Sequence, residues 1–135
     1  MNVGLSISVI PLAWPQYLGL VRKGMVPMYV LGWAPDYIDP DDYVTPFGHI
    51  GLGTIAKRVS YNNTQVMRLV EQQSVEIDPV KRAQILSEIV RIMHDDYAYI
   101  WLDQPVDIHF ERTWVHGWFW NPAIDVSYYA TVYKS

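Results

Sequence analysis

The sequence predicts an α/β domain: a mixed sheet with a βαβ unit and packed helices. Three observations predict it. Residues 3–10 alternate between apolar and small side chains, a helical stripe follows at 14–21, and residues 26–33 form a mostly apolar run. Strand, short helix and strand within about thirty residues read as a right-handed crossover.

In the first segment Val3, Leu5, Ile7 and Val9 fall on one side and Gly4, Ser6 and Ser8 on the other, the pattern of a strand with one buried face. Pro11 and Pro15 bracket a turn, and Pro15 suits a first helical turn because the amide it lacks would be orphaned there. Trp14, Tyr17, Leu18 and Val21 recur at helical spacing, and Gly24 closes that helix as a C-terminal cap. The segment 26–33 is apolar on both faces, which places it centrally in the sheet. Asp39 and Pro40 predict an N-cap and a first-position proline, opening a brief helix over 41–44. Residues 46–61, with Pro46, Gly48, Gly51 and Gly53, predict a long loop. Asn62 or Asn63 then caps a helix carrying Val66, Leu69 and Val70. Asp78 and Pro79 open the clearest helix. Its apolar face holds Leu86, Ile89, Val90 and Met93, widened by Ile85 and Ile92, with Arg91 and His94 near its last carbonyls.

Further strands are predicted at 97–102, from continuous apolar content, and at 106–111, where Val106, Ile108 and Phe110 alternate with Asp107, His109 and Glu111. From Thr113 the character changes. Trp114, Trp118, Phe119, Trp120, Tyr128, Tyr129 and Tyr133 crowd together with little helical period.

A chain of 135 residues is long enough for one domain with a real core. Its net charge of −4 and scattered Lys and Arg exclude nucleic acid as a partner, since phosphate binding needs a clustered basic face. The absence of cysteine excludes disulfides, thiolate metal sites and cysteine nucleophiles. The longest apolar runs are about six residues, against roughly 20 for a membrane span. No Lys or Arg precedes Arg22, so the apolar start does not read as a signal peptide.

The stretch Gly32–Tyr43 carries the chemistry. It sets Trp33 and Asp36 where the second strand is predicted to end, the usual place for binding loops. An aromatic wall beside one carboxylate suits a ligand with a positive end, held by a charge-assisted hydrogen bond. A loop aspartate bonding its own backbone in a turn fits Asp36 as well. Trp14, at the strand-to-helix junction on the same edge as Trp33, joins the candidates. The acids of this stretch do not read as a calcium loop: counted from Asp36, the sixth residue is Asp41 and the twelfth Phe47, where glycine and glutamate are required. The four histidines have no metal-ligand spacing, Gly48–Gly53 does not match a phosphate loop, and no nucleophile constellation stands out. No catalytic residue, metal or cofactor is predicted.

Gly32-Trp33-x-x-Asp36-Tyr37-x-Asp39-Pro40 resembles the signature of the family 5 extracellular solute-binding proteins, which deliver peptides, nickel complexes or oligosaccharides to ABC importers. Further strings follow in order: Tyr61-Asn62-Asn63, Asp78-Pro79-Val80-Lys81-Arg82, Asp95-Asp96-Tyr97, Ile100-Trp101-Leu102, and Trp114-Val115-x-Gly117. The resemblance implies part of the C-terminal lobe of a class II periplasmic binding protein, a two-lobed molecule that closes on its ligand. It implies that Asp36 anchors the α-amino group of a bound peptide, and that Trp33 and Trp14 line the site. It also implies an importer permease as partner and a periplasmic or extracellular location. Family chains are several times longer, so the chain reads as a fragment. Residues 1–112 would form a partial lobe, and 113–135 an aromatic tail that docks on the other lobe. Such a tail without its partner predicts a homo-oligomer. A self-contained carbohydrate-binding or protein-interaction domain is the alternative from another class, and a small hydrolase using Asp36 is a further one.

Overall fold

The computed structural model describes residues 4–106, 108–121 and 129–135. It forms two compact units, Met1–Leu31 and Gly32–Ser135. In the first, α1 spans Trp14–Arg22, with Pro15 in its first turn. Val21 is fully buried there and Tyr17 and Leu18 are half-buried, while Trp14 is 60% exposed. Gly24 takes a left-handed φ of 63°, and the Gly24 and Met25 amides return to the carbonyls of Val21 and Leu20. That is the Schellman closure that glycine permits at low cost.

The second unit holds α2 (Asp41–Gly48), α3 (Thr54–Val59), α4 (Thr64–Val75) and α5 (Pro79–Asp95). A two-residue antiparallel ladder follows, β1 (Val115–His116) with β2 (Tyr133–Lys134). Asn63 and Asp78 cap α4 and α5 as predicted, each side chain accepting two first-turn amides. The core lies between α2, α3, α4 and α5, built from Val44, Ala56, Tyr61, Val66, Val70, Ile89, Ile92 and Met93.

Several expectations are corrected. The predicted strands at 3–10, 26–33, 97–102 and 106–111 form no ladder among the described residues; Val3 and Asp107 lie outside them. Without paired strands there is no βαβ unit among the described residues, and Trp14 and Trp33 belong to separate units. The physical reason is pairing. A strand is held by a neighbour's backbone, and apolar alternation alone supplies none. Most of the larger apolar side chains of these segments are exposed, Leu5 at 68% and Phe110 at 88%, while Tyr99 turns back onto the core. The molecule is therefore an α/β structure poor in sheet.

The predicted loop 46–61 contains the end of α2 and all of α3. Its glycines serve close packing. A Cβ on Gly48 would meet Val66 Cγ1 at 2.9 Å, and one on Gly53 would meet two carbonyl oxygens at 2.5 Å. His49 holds the turn between these helices, its Nδ1 accepting the Gly51 and Leu52 amides. Its proton therefore sits on Nε2, facing Glu71. On α5 the buried face is Ile89, Ile92 and Met93, while Val90 is 51% exposed instead of buried.

Candidate functional site

The four carboxylates of Gly32–Tyr43 divide into three that are engaged and one without a partner among the described residues. Asp39 takes a bidentate grip from Arg82 on α5, at 2.9 and 2.6 Å, and also accepts the Asp41 amide at 2.8 Å. The Arg82 hydrogen bonds hold the Asp39 carboxyl below its usual range and push the guanidinium up. Asp41 accepts from the Tyr37 and Thr45 hydroxyls, each at 2.6 Å, and from the fully buried Gln73 amide. Burial pushes the Asp41 carboxyl up, but those hydrogen bonds outweigh it and the group ends below its ordinary value. The Tyr37 hydroxyl, bonded to Asp41, is pushed up to about 12. Gln73 turns its oxygen to Arg82, so α4 and α5 are tied to the loop through one connected set of polar groups.

Asp42 is only 4% exposed. Its Oδ2 accepts the backbone amide of Asp36 at 2.7 Å, and its backbone carbonyl accepts the indole N–H of Trp33 at 2.9 Å. That carbonyl is available because Pro46, four residues on within α2, has no amide to return to it. Trp33 is half-buried and packs edge-on against Phe47, ring centroids 5.5 Å apart.

Asp36 itself is exposed, and its carboxylate has no partner among the described residues. The structure therefore brings Trp33 and Asp36 onto one loop. It leaves Trp14 in the other unit, stacked on Tyr17 at 5.5 Å. Beside the loop an open groove of about 920 Å³ runs between Tyr37, Ile38 and Tyr43 and the Leu86 and Val90 positions of α5.

Sequence reasoning missed Asp42, Gln73, Arg82 and Pro46 as parts of this assembly. Pro46 was legible as a helix breaker but not as the residue that frees a carbonyl. A buried glutamine on an apolar helix face was the readable signal for Gln73. The strings quoted above are also bonded to one another. Arg82 of Asp78–Arg82 holds Asp39, and Asp96 accepts from Tyr61 Oη at 2.5 Å and Asn63 Nδ2 at 2.7 Å. Burial and the Asp96 bond both push the Tyr61 hydroxyl up, while the two donors hold the Asp96 carboxyl down. Among the described residues no three His, Asp or Glu side chains gather as a metal site. No helix among them is long and apolar enough to cross a membrane.

The chain is 25% identical to Di/tripeptide-binding protein 4 of Pseudomonas aeruginosa, across 98% of its own length and 25% of that protein. It is 25% identical to the "Probable D,D-dipeptide-binding periplasmic protein DdpA" of Escherichia coli, across 92% of its length and 24% of the relative. It is 22% identical to Heme-binding protein A of Haemophilus influenzae, across 73% of its length and 18% of the relative. The chain thus spans about a quarter or less of these relatives. No family model matches it, and no solved structure matches it. The resemblance to the family 5 solute-binding proteins stands, carried by binding proteins that match most of the chain.

Proposed function

We propose that this chain carries one wall of the ligand cleft of a peptide-type solute-binding protein serving an ABC importer, on the periplasmic or extracellular face of the membrane. Asp36 anchors the free amine of the ligand and Trp33 walls the site. The observation that carries this reading is the unequal use of four neighbouring carboxylates. Asp39, Asp41 and Asp42 are engaged by protein donors, and Asp36 is exposed with its carboxylate unpartnered among the described residues. Such a group stays solvated until an ammonium reaches it, and a second wall closing over the pair then strengthens the contact by excluding water. The peptide-binding names of the relatives support the ligand class. Capture by closure needs two lobes and a hinge. Residues 1–112 form part of one lobe in this reading, and 113–135 are a docking segment for the other. The role is binding without chemistry.

Calorimetric titration with dialanine tests the reading. Asp36→Ala and Asp36→Asn should both weaken binding, by about 2–5 kcal/mol where the cleft closes over the pair. The melting temperature should hold, because the Asp36 side chain bonds nothing among the described residues. Unchanged affinity in both variants would remove Asp36 from the site.

A further inference from the structure

We infer that Asp42 is a positioning residue of this site, fixing Trp33 and Asp36 relative to each other while touching no ligand itself. The inference rests on the proposed role of Asp36 and goes one step beyond it. The two candidate residues stand three positions apart on a loop that joins no ladder among the described residues. Both are tied to Asp42, through two different atoms of that residue. The carboxylate takes the Asp36 amide at 2.7 Å and the main-chain carbonyl takes the Trp33 indole at 2.9 Å. Asp42 is itself rigidly placed: it lies in the first turn of α2, is 4% exposed, and is followed by the core residue Val44. The first helical turn is also where a carboxylate is favoured by the helix dipole.

Each tie has a cause in the sequence. Pro46 withholds the amide that would normally occupy the Asp42 carbonyl, which leaves an acceptor for the indole. The Asp36 amide, bonded to a buried carboxylate, fixes the backbone from which its own side chain departs. Asp39 and Asp41 secure the loop further along, at Arg82 and Gln73, and neither bonds Trp33 or Asp36. Asp42 alone among the described residues joins the two.

The test uses the full chain in three forms: wild type, Asp42→Ala and Asp42→Asn, the last keeping a side-chain acceptor. Hydrogen exchange at the Asp36 amide and the Trp33 indole reads the geometry without any ligand. Asp42→Ala should accelerate exchange at the Asp36 amide about tenfold or more, the scale of one hydrogen bond to a charged group. Asp42→Asn should restore most of the protection. Binding is then compared for dialanine and N-acetyl-dialanine, which differ in the amine alone. Asp42→Ala should reduce the preference for the free amine by about tenfold, while adding nothing in an Asp36→Ala background. A merely structural residue would weaken both probes equally and leave the preference intact. Undiminished protection of the Asp36 amide in Asp42→Ala, or an unchanged preference, would overturn the inference. If wild type shows no preference for the free amine, the anchoring role of Asp36 fails, and the exchange data still decide whether Asp42 sets the loop.

Discussion

At the scale of single residues, the loop Gly32–Tyr43 is held by hydrogen bonds to its carboxylates, one of them the ion pair of Asp39 with Arg82. Asp39, Asp41 and Asp96 have carboxyl groups held below the ordinary value of 3.8 by their donors. A carboxyl whose folded value lies below its unfolded one adds stability above the unfolded value, and that stability is lost as the pH falls through the folded value. The contribution of these groups should therefore be complete above about pH 4 and disappear on acidification below it. Arg82→Met should cost about 1–2 kcal/mol near neutrality, the range for hydrogen bonds to a partly exposed charge, and should flatten the acid limb. Denaturant melts of both proteins between pH 2 and 7 measure this. An acid limb as steep in Arg82→Met as in wild type would show that Asp39 draws nothing from the guanidinium. Trp33, Asp36 and Trp14 were legible as candidates from residue type and order. That Asp42 holds two of them was not, because a hydrogen bond over six residues leaves no periodicity.

At the scale of elements, the caps of α4 and α5 were readable and the strands were not. Asn63 and Asp78 reveal themselves locally, since a cap needs only the amides that follow it. Helices α4 and α5 satisfy their own backbones, so their stripes predict them directly. The predicted strands at 3–10, 97–102 and 106–111 depend on a partner strand that local sequence cannot name, and none pairs with them among the described residues. The loop expected at 46–61 failed for another reason: Gly48 answers to helix packing, and the turn around Gly51 is short enough to leave room for α3. The burial along α5 makes a graded prediction. Ile89→Ala should cost about 2–5 kcal/mol, as for other fully buried large side chains. Val90→Ala, on the exposed side, should change stability by less than about 0.5 kcal/mol. Comparable losses from the two, measured by urea unfolding, would mean that the helix packs through a different face. Asp78→Ala should cost about 1 kcal/mol through the lost cap.

At the scale of the whole molecule, the exposed apolar side chains and the aromatic tail dominate. Ile100, Leu102, Val106, Ile108, Phe110, Trp120 and Tyr129 are all exposed, and Tyr128 lies outside the described residues. Each aromatic can bury about 150–250 Å² in a contact, so a few of them exceed what monomers commonly leave open. The chain alone should therefore associate into a homo-oligomer in light scattering at tens of micromolar. Elution as a monomer with the tail tryptophans shielded from quencher would favour a self-contained module. Binding is the more direct matter, and a nuclear magnetic resonance titration of the full chain with dialanine and N-acetyl-dialanine addresses it. Dialanine should shift the Trp33 indole and the amides of Asp36 and Tyr37, and the acetylated peptide should leave them in place. Equal shifts from both peptides, or shifts confined to the aromatic tail, would contradict the assignment of this loop as an amine-binding wall.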